Sequence, residues 1–233
     1  MNAPQNVSNQ RTASDSPKNW LELISQPTDE LEQLALLEAG KRSRAGAPVA
    51  MLQVDCGNAL LGLRLAKNGA TVLAVDSDPA TGLPLKEAAL ALGVTQNFRY
   101  QIWDASHCLD TTPLPGAPFD IVACPHSLSH LAYTHAHTLL RRLALMTKIG
   151  GKLFISAYGL HSELGEDYAG ESERVRDRFS ALSPSIADKY GIHQPVCLYS
   201  ERDLFLLIFE AGLSVVKTFT TTHGNVRAIA VRV

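Results

Sequence analysis

The 233-residue chain has no cationic surplus: Lys and Arg total 21 against 23 Asp and Glu, for a formal net charge of −2. Nothing is left over to neutralise a run of nucleic-acid phosphates or an anionic membrane surface. Aromatic residues are scarce as well, at 6%, and no basic stretch is interleaved with them, so a stacking platform for single strands is missing. No apolar run approaches the roughly 18 residues needed to cross a bilayer. The stretch MNAPQNVSNQRTASDSPKNW lacks the apolar core of a signal peptide, and the expected location is the cytoplasm. The four cysteines, Cys56, Cys108, Cys124 and Cys197, form no C-x-x-C pair. That spacing argues against a disulfide framework or a zinc knuckle and leaves reduced thiols.

What is present is 45% hydrophobic and 19% charged, the balance of a globular α/β domain with a modest insertion or tail. Residues 1–17 are polar, cannot repay their ordering entropy, and are expected to form a disordered tail. Residues 18–233 are then one domain. Over 20–39 the residues Leu21, Ile24, Leu31, Leu34 and Leu37 keep helical spacing, with Thr28 placed as a cap, Gly40 as the stop and 41–46 as a polar link. Short apolar runs at 48–54, 71–75, 98–103, 119–124 and 152–157 read as strands covered on both faces. Helices at 60–67, 84–92 and 135–147 fall between them, and a Gly150-Gly151 turn precedes the last run. Strict alternation implies right-handed crossovers, a mainly parallel sheet with helices on both faces, and ligands at the carboxyl ends of the strands.

From about 158 to 198 the alternation breaks. A charged stretch, GESERVRDRFSAL, reads as a solvated helix, and Tyr158, Tyr168, Tyr190, His193 and Tyr199 flank or lie within what looks like an insertion or lid over the rim of the site. A helix at 200–211 and a hairpin of 213–220 with 226–233 about His223-Gly224-Asn225 complete the chain.

Two segments carry a resemblance. LQVDCGNALLGLRLAKNGATVLAVDSDPA is a strand, a tight loop, a helix and a second strand ending in an acid, and FDIVACPHSLSHLAYTHAHTLLRRLALMTKIGGKLFIS is a later strand, helix and strand. Both resemble motifs of the class I S-adenosylmethionine-dependent methyltransferases, and the resemblance extends over roughly 48–233. It implies a Rossmann-like three-layer α/β sandwich with a mainly parallel seven-stranded sheet and an antiparallel last strand. It also implies S-adenosylmethionine as cofactor, S-adenosylhomocysteine as product and a small-molecule acceptor. Without Gly-x-Gly-x-x-Gly, the run Cys56-Gly57-Asn58-Ala59-Leu60-Leu61 does not fit a dinucleotide dehydrogenase.

In such proteins the first loop reads acid-x-Gly-x-Gly-x-Gly. A gap-free alignment places Gln53 at the acid, Asp55 at the first glycine, Gly57 and Asn58 in the middle and Ala59 at the third glycine. A second register keeps Asp55 as the acid and Gly57 as the first glycine, with a loop two residues shorter. Asp76, followed by Ser77, stands where a carboxylate accepts hydrogen bonds from the ribose hydroxyls; as an ordinary Asp it would cap a turn. Asp104 and Ala105 match the adenine-binding position, and Cys124 lines the pocket after the fourth strand. His126 points toward the donor methyl as the base, where one is needed, and His130 matches a position that is often His in small-molecule members. A metal site among His126, His130, His135 and His137 lacks carboxylate or thiolate partners at ligand spacing, and no metal is expected. The alternative to an enzyme is a catalytically inactive binding or scaffold protein. Such a protein, or a homodimer, would make a protein partner.

Overall fold

Three of the apolar runs lie side by side in the middle of one sheet. The computed structural model describes residues 19–105 and 113–233, so the tail expected over 1–17 and the thiol of Cys108 lie outside the described residues. The strands are β1 (Ala50–Gln53), β2 (Thr71–Asp76), β3 (Phe98–Ile102), β4 (Phe119–Pro125), β5 (Thr147–Ala157), β6 (Ser214–Thr220) and β7 (Val226–Val231). They form a seven-stranded sheet in the order β3-β2-β1-β4-β5-β7-β6. Pairing is parallel from β3 to β5, and β7 runs antiparallel to both its neighbours. The sheet is the Rossmann-like one that the alternation and the resemblance lead one to expect. Its strand order reverses between β1 and β4, the crevice where such sheets hold ligands.

Because successive strand residues face opposite sides, the continuous apolar runs feed two cores. Leu52, Val54, Leu73 and Val75 pack with α5 (Tyr133–Leu145) and α7 (Glu201–Glu210) on one face. Met51, Val72, Ala74 and Ile121 pack with α2 (Glu30–Arg44), α3 (Leu60–Lys67) and α4 (Gly82–Ala91) on the other. Leu139, Leu140 and Leu143 of α5 are wholly buried, each worth about 2 kcal/mol of removed apolar surface. Cys56, Cys124 and Cys197 are free and buried. No helix among the described residues is long and apolar enough to cross a membrane.

The structure differs from the sequence reading at four places, each for an identifiable reason. The helix expected over 20–39 is two: α1 (Trp20–Ser25) ends before Gln26-Pro27, because a proline disfavours helical backbone in the residue preceding it. Asp29, not Thr28, caps α2 by accepting from Glu32 N at 2.9 Å. Gly40 does not stop α2, which runs on to Arg44. There Arg42 bonds Glu38 and the Gly150 carbonyl, and Lys152 reaches Glu38 at 2.7 Å, so the last turn is tied to the sheet. Gly150-Gly151 is no turn between elements but an irregularity within β5, with Gly150 at φ 73° opposite a register shift in β4.

The fourth difference is the charged stretch from Gly170 to Leu182, which is not helical. Arg178 is buried at 7% exposure, and the chain wraps round its guanidinium. That group donates to the Glu173 and Leu198 carbonyls and to Asp203 at 2.8 Å. A solvated helix would leave those donors to water; here they join the insertion to the N-terminus of α7. A short helix α6 (Pro184–Tyr190), unforeseen in the sequence, packs Ile186 and Ala187 against Leu164, Tyr168 and Leu198 in a small separate core.

The same insertion meets the β6–β7 turn where Gly159 lies against Gly224, and a Cβ at Gly159 would fall on the Gly224 carbonyl oxygen. Only backbone fits there. Gly159→Ala is therefore expected to lower the unfolding free energy by about 2 kcal/mol in urea denaturation, the scale of forced overpacking. An unchanged midpoint and slope would show that the two turns are free to separate.

Candidate functional site

The loop joining β1 to α3 lies at the strand-order reversal. Its backbone is left-handed at Asp55 (φ 45°), Gly57 (φ 49°) and Ala59 (φ 48°), alternating with ordinary residues. These are the three positions that the gap-free alignment gives to glycines. The shape of the loop has outlived two of its three glycines. A left-handed residue other than glycine costs roughly 1–2 kcal/mol, with Asp among the more tolerant types. The conformation holds because its amides are taken: Cys56 N donates to the Val75 carbonyl at 3.0 Å and Gly57 N to Asp76 Oδ2 at 2.9 Å.

Asp76 is buried at 6% exposure at the end of β2, and its other oxygen, Oδ1, accepts from Asp78 N at 3.0 Å. It caps a turn and braces the loop at once, so the two sequence readings of this residue are not exclusive. Asp55 and Asp104 lie close enough to act on one another electrostatically. The Asp55 carboxyl is pushed up, first by burial and then by the charges of Asp76 and Asp104, while a hydrogen bond with Ser127 opposes the rise. Three carboxyl groups thus make this end of the crevice attractive to a cation. Cys124 is wholly buried beside Ser127, its thiol pushed up to about 12 by burial, so it lines the site as an apolar group. Ala105 is buried, Ser77 is exposed, and the Asn58 side chain turns back toward Leu60 N at 3.4 Å.

Gln53 is where the ligand reading needs correcting. Its side-chain oxygen accepts from Gly62 N at 2.8 Å inside α3, and the residue is buried at 6% exposure. Standing on the same strand face as Met51, it fastens the helix to the sheet rather than facing a ligand. Gly62 has no room for a side chain because the Gln53 oxygen already fills the space.

A second group of polar side chains gathers after β4. His126 adopts φ 57°, and its amide donates to the Ser156 carbonyl at 2.9 Å, which swings the imidazole across the ends of β4 and β5. The ring stacks on Tyr158 with centroids 4.7 Å apart, and Nε2 lies 3.4 Å from Ser156 Oγ. His130 meets the same tyrosine edge-on at 5.4 Å. Burial, with help from Arg227 and His130, pulls the His126 pKa down to about 4, so the ring is neutral at pH 7. Its Nδ1 is buried and makes no hydrogen bond. His135 and His137 lie on α5, and among the described residues no group of three His, Cys, Asp or Glu side chains is placed to hold a metal ion.

The sequence reading missed Ser127, Ser156, Arg227 and Asp29. In register, Pro125, Ser156, Arg227 and Phe219 form one row across β4, β5, β7 and β6. Arg227 comes up on the α2 side, where its Nη2 donates to Asp29 at 2.9 Å. The one available signal was an arginine in the sequence VRAIAV on the strand face that also carries buried Ile229.

Residues 51–151 match the family model of the methyltransferase domain. A ubiquinone biosynthesis O-methyltransferase of Xylella fastidiosa (strain M23) is 34% identical over 131 residues, 56% of this chain and 50% of that one. The chain therefore aligns with about half the length of that relative. Among solved structures, the PH0226 protein of Pyrococcus horikoshii OT3 superimposes with a TM-score of 0.64 at 14% identity, covering 90% of this chain and 93% of that one. A magnesium protoporphyrin IX methyltransferase of Synechocystis PCC 6803, with bound SAH, gives 0.59 at 16% identity over 92% and 93%. Sheet order and the left-handed loop braced by the acid of β2 agree with the family match: residues 51–151 carry the sequence of a methyltransferase domain, in a sheet with the fold of the class I S-adenosylmethionine-dependent methyltransferases.

Proposed function

We propose that the protein is an S-adenosylmethionine-dependent methyltransferase acting on a small molecule. The observation that carries this reading is the loop: Asp55, Gly57 and Ala59 all keep left-handed backbone, and the Gly57 amide is held by Asp76, although two of the three positions are not glycine. When bound, the cofactor supplies a methyl group on a sulfonium, which a nucleophile displaces directly. The residues present fit such a group. Asp76 is the carboxylate that would accept from the ribose hydroxyls, and Gly57 and Asn58 form the turn beside it. Asp104 and Ala105 stand at the adenine end, and Cys124 supplies an apolar wall. Asp55, with Asp76 and Asp104, sets a negative potential that favours the positively charged donor over its neutral product.

His126 takes the proton of an acceptor that arrives protonated, since a neutral imidazole is the basic form. The insertion of about 158–198, with its own small core and with Tyr158 at its root, covers the acceptor. The names of the relatives support a small acceptor, and the alignment over half their length leaves its identity open to assay.

Two measurements check this function. In calorimetry, S-adenosylhomocysteine is expected to bind, and Asp76→Ala to weaken it by about 1–3 kcal/mol, the scale of a lost hydrogen bond to a charged group. No heat at millimolar ligand would refute the enzyme and leave a binding or scaffold protein. The second concerns His126. Its folded pKa of about 4 lies below the ordinary 6.5, so between these values the unfolded chain binds a proton that the folded chain does not. Stability contributed by the neutral ring is intact above pH 6.5 and is lost as pH falls toward 4. His126→Asn, which tolerates the left-handed backbone, is expected to show a smaller drop in thermal midpoint over that window than the parent. Equal drops would mean that His126 titrates normally and is not held as a neutral base.

A further inference from the structure

Among the buried side-chain polar atoms of the described residues that make no hydrogen bond, two belong to the same corner: Nδ1 of His126 and Nε of Arg227. A buried N–H left without an acceptor costs about 1–3 kcal/mol and is uncommon in folded proteins. The corner is built rather than accidental. Ser156 lies opposite Arg227 on β7 and opposite Pro125 on β4, and its carbonyl accepts from the His126 amide. The arginine side chain is 12% exposed, and its charge is felt at the His126 ring. Asp29 occupies Nη2, but that carboxylate is 47% exposed and its countercharge is screened by water, while the Nε edge is not.

Resting on the methyltransferase reading above, we infer that this corner is the acceptor's anchor and that the acceptor is an oxygen acid, a phenol or a carboxylic acid, bound through its oxygen to Arg227 Nε and His126 Nδ1. The chemistry follows from the two atoms. Arg227 Nε is a donor at every accessible pH and wants an acceptor atom, best an anionic one. Nδ1 accepts a proton from an acid, or donates to its anion once the ring is protonated. An oxygen acid satisfies both through one group, and the guanidinium stabilises the oxyanion left when the proton moves to the ring. An amine acceptor would place its own N–H groups against the arginine donor and leave Nε unmet. Tyr158, stacked on His126, provides the flat apolar wall that suits a ring-bearing acid.

The test uses 4-nitrophenol, whose phenolate is read by its visible absorbance, titrated with the full-length protein at pH 6 with and without S-adenosylhomocysteine. Bound probe is expected to ionise at lower pH than free probe, and Arg227→Met to weaken phenolate binding tenfold or more. The probe titration without S-adenosylhomocysteine does not depend on cofactor binding, so failure of the cofactor reading and failure of this one give different patterns. Should Arg227→Met not fold, the parent protein still decides: the Arg227 Nε–H resonance is expected to move downfield on adding the probe. A phenolate signal that survives Arg227→Met, an Nε–H resonance that does not move, or equal binding of 4-nitroanisole, which has no acidic oxygen, would each overturn the proposal.

Discussion

The hydrogen bond from Gly57 N to Asp76 Oδ2 is the point on which the architecture turns. It joins the loop leaving β1 to the end of β2, and so fixes the mouth of the crevice relative to these two adjacent parallel strands. Immediately beyond the loop, α3 carries Arg64, whose buried guanidinium donates to the Ile24 and Gln26 carbonyls and to Glu32 at 2.7 Å. The first two helices are therefore hung from the helix that the loop launches. Asp29, which caps α2 and holds Arg227, owes its position to that same chain of contacts. The Asp76 end and the Arg227 end of the crevice are thus linked through α3 rather than built independently.

Charge is divided between those ends. Asp55, Asp76 and Asp104 make one side negative, the sign that suits an ammonium and a sulfonium. Arg227 beside a neutral His126 makes the other side positive. Displacement at a sulfonium consumes the positive charge of the donor, so carboxylates around it hold the reactant more firmly than the product. Asp76 is buried, while Asp55, Asp104, His126 and Arg227 are part-buried.

How much of this was legible in the sequence depends on what each residue type can announce. The strands were legible because parallel strands covered on both faces read as unbroken apolar runs, and α3 was placed at 60–67 as found because Asn68-Gly69 ends it unambiguously. Glycine misled twice, at Gly40 inside α2 and at Gly150 inside β5, since long-range contacts from Arg42 and Lys152 override a local preference. The charged run around Arg178 misled because a pattern of charges cannot show that one of them is buried. The place of Asp76 at the end of β2, beside the loop, was legible from its distance to Gly57. The Gln53 side chain was not, since an aligned position says nothing of which strand face a residue occupies. Arg227 was invisible for the opposite reason: an arginine on an alternating strand reads as solvated until the register sets it beside Ser156 and His126.

The retained shape of the loop bears on why two glycines could be lost. Left-handed backbone at Ala59 is strained, yet its methyl is wholly buried, and the residue after it opens a helix whose first turns pack on the core. Burial of one methyl recovers something under 1 kcal/mol, of the same order as the strain, so glycine and alanine differ little in net stability there. Asp55 is another matter, because nothing in the packing asks for a carboxyl at a part-buried left-handed position within electrostatic reach of two other acids. Its hydrogen bond with Ser127 links the loop to the segment that carries His126. A glycine there would leave the loop equally well formed and that link absent; the aspartate is explained by what it joins, not by the fold it sits in.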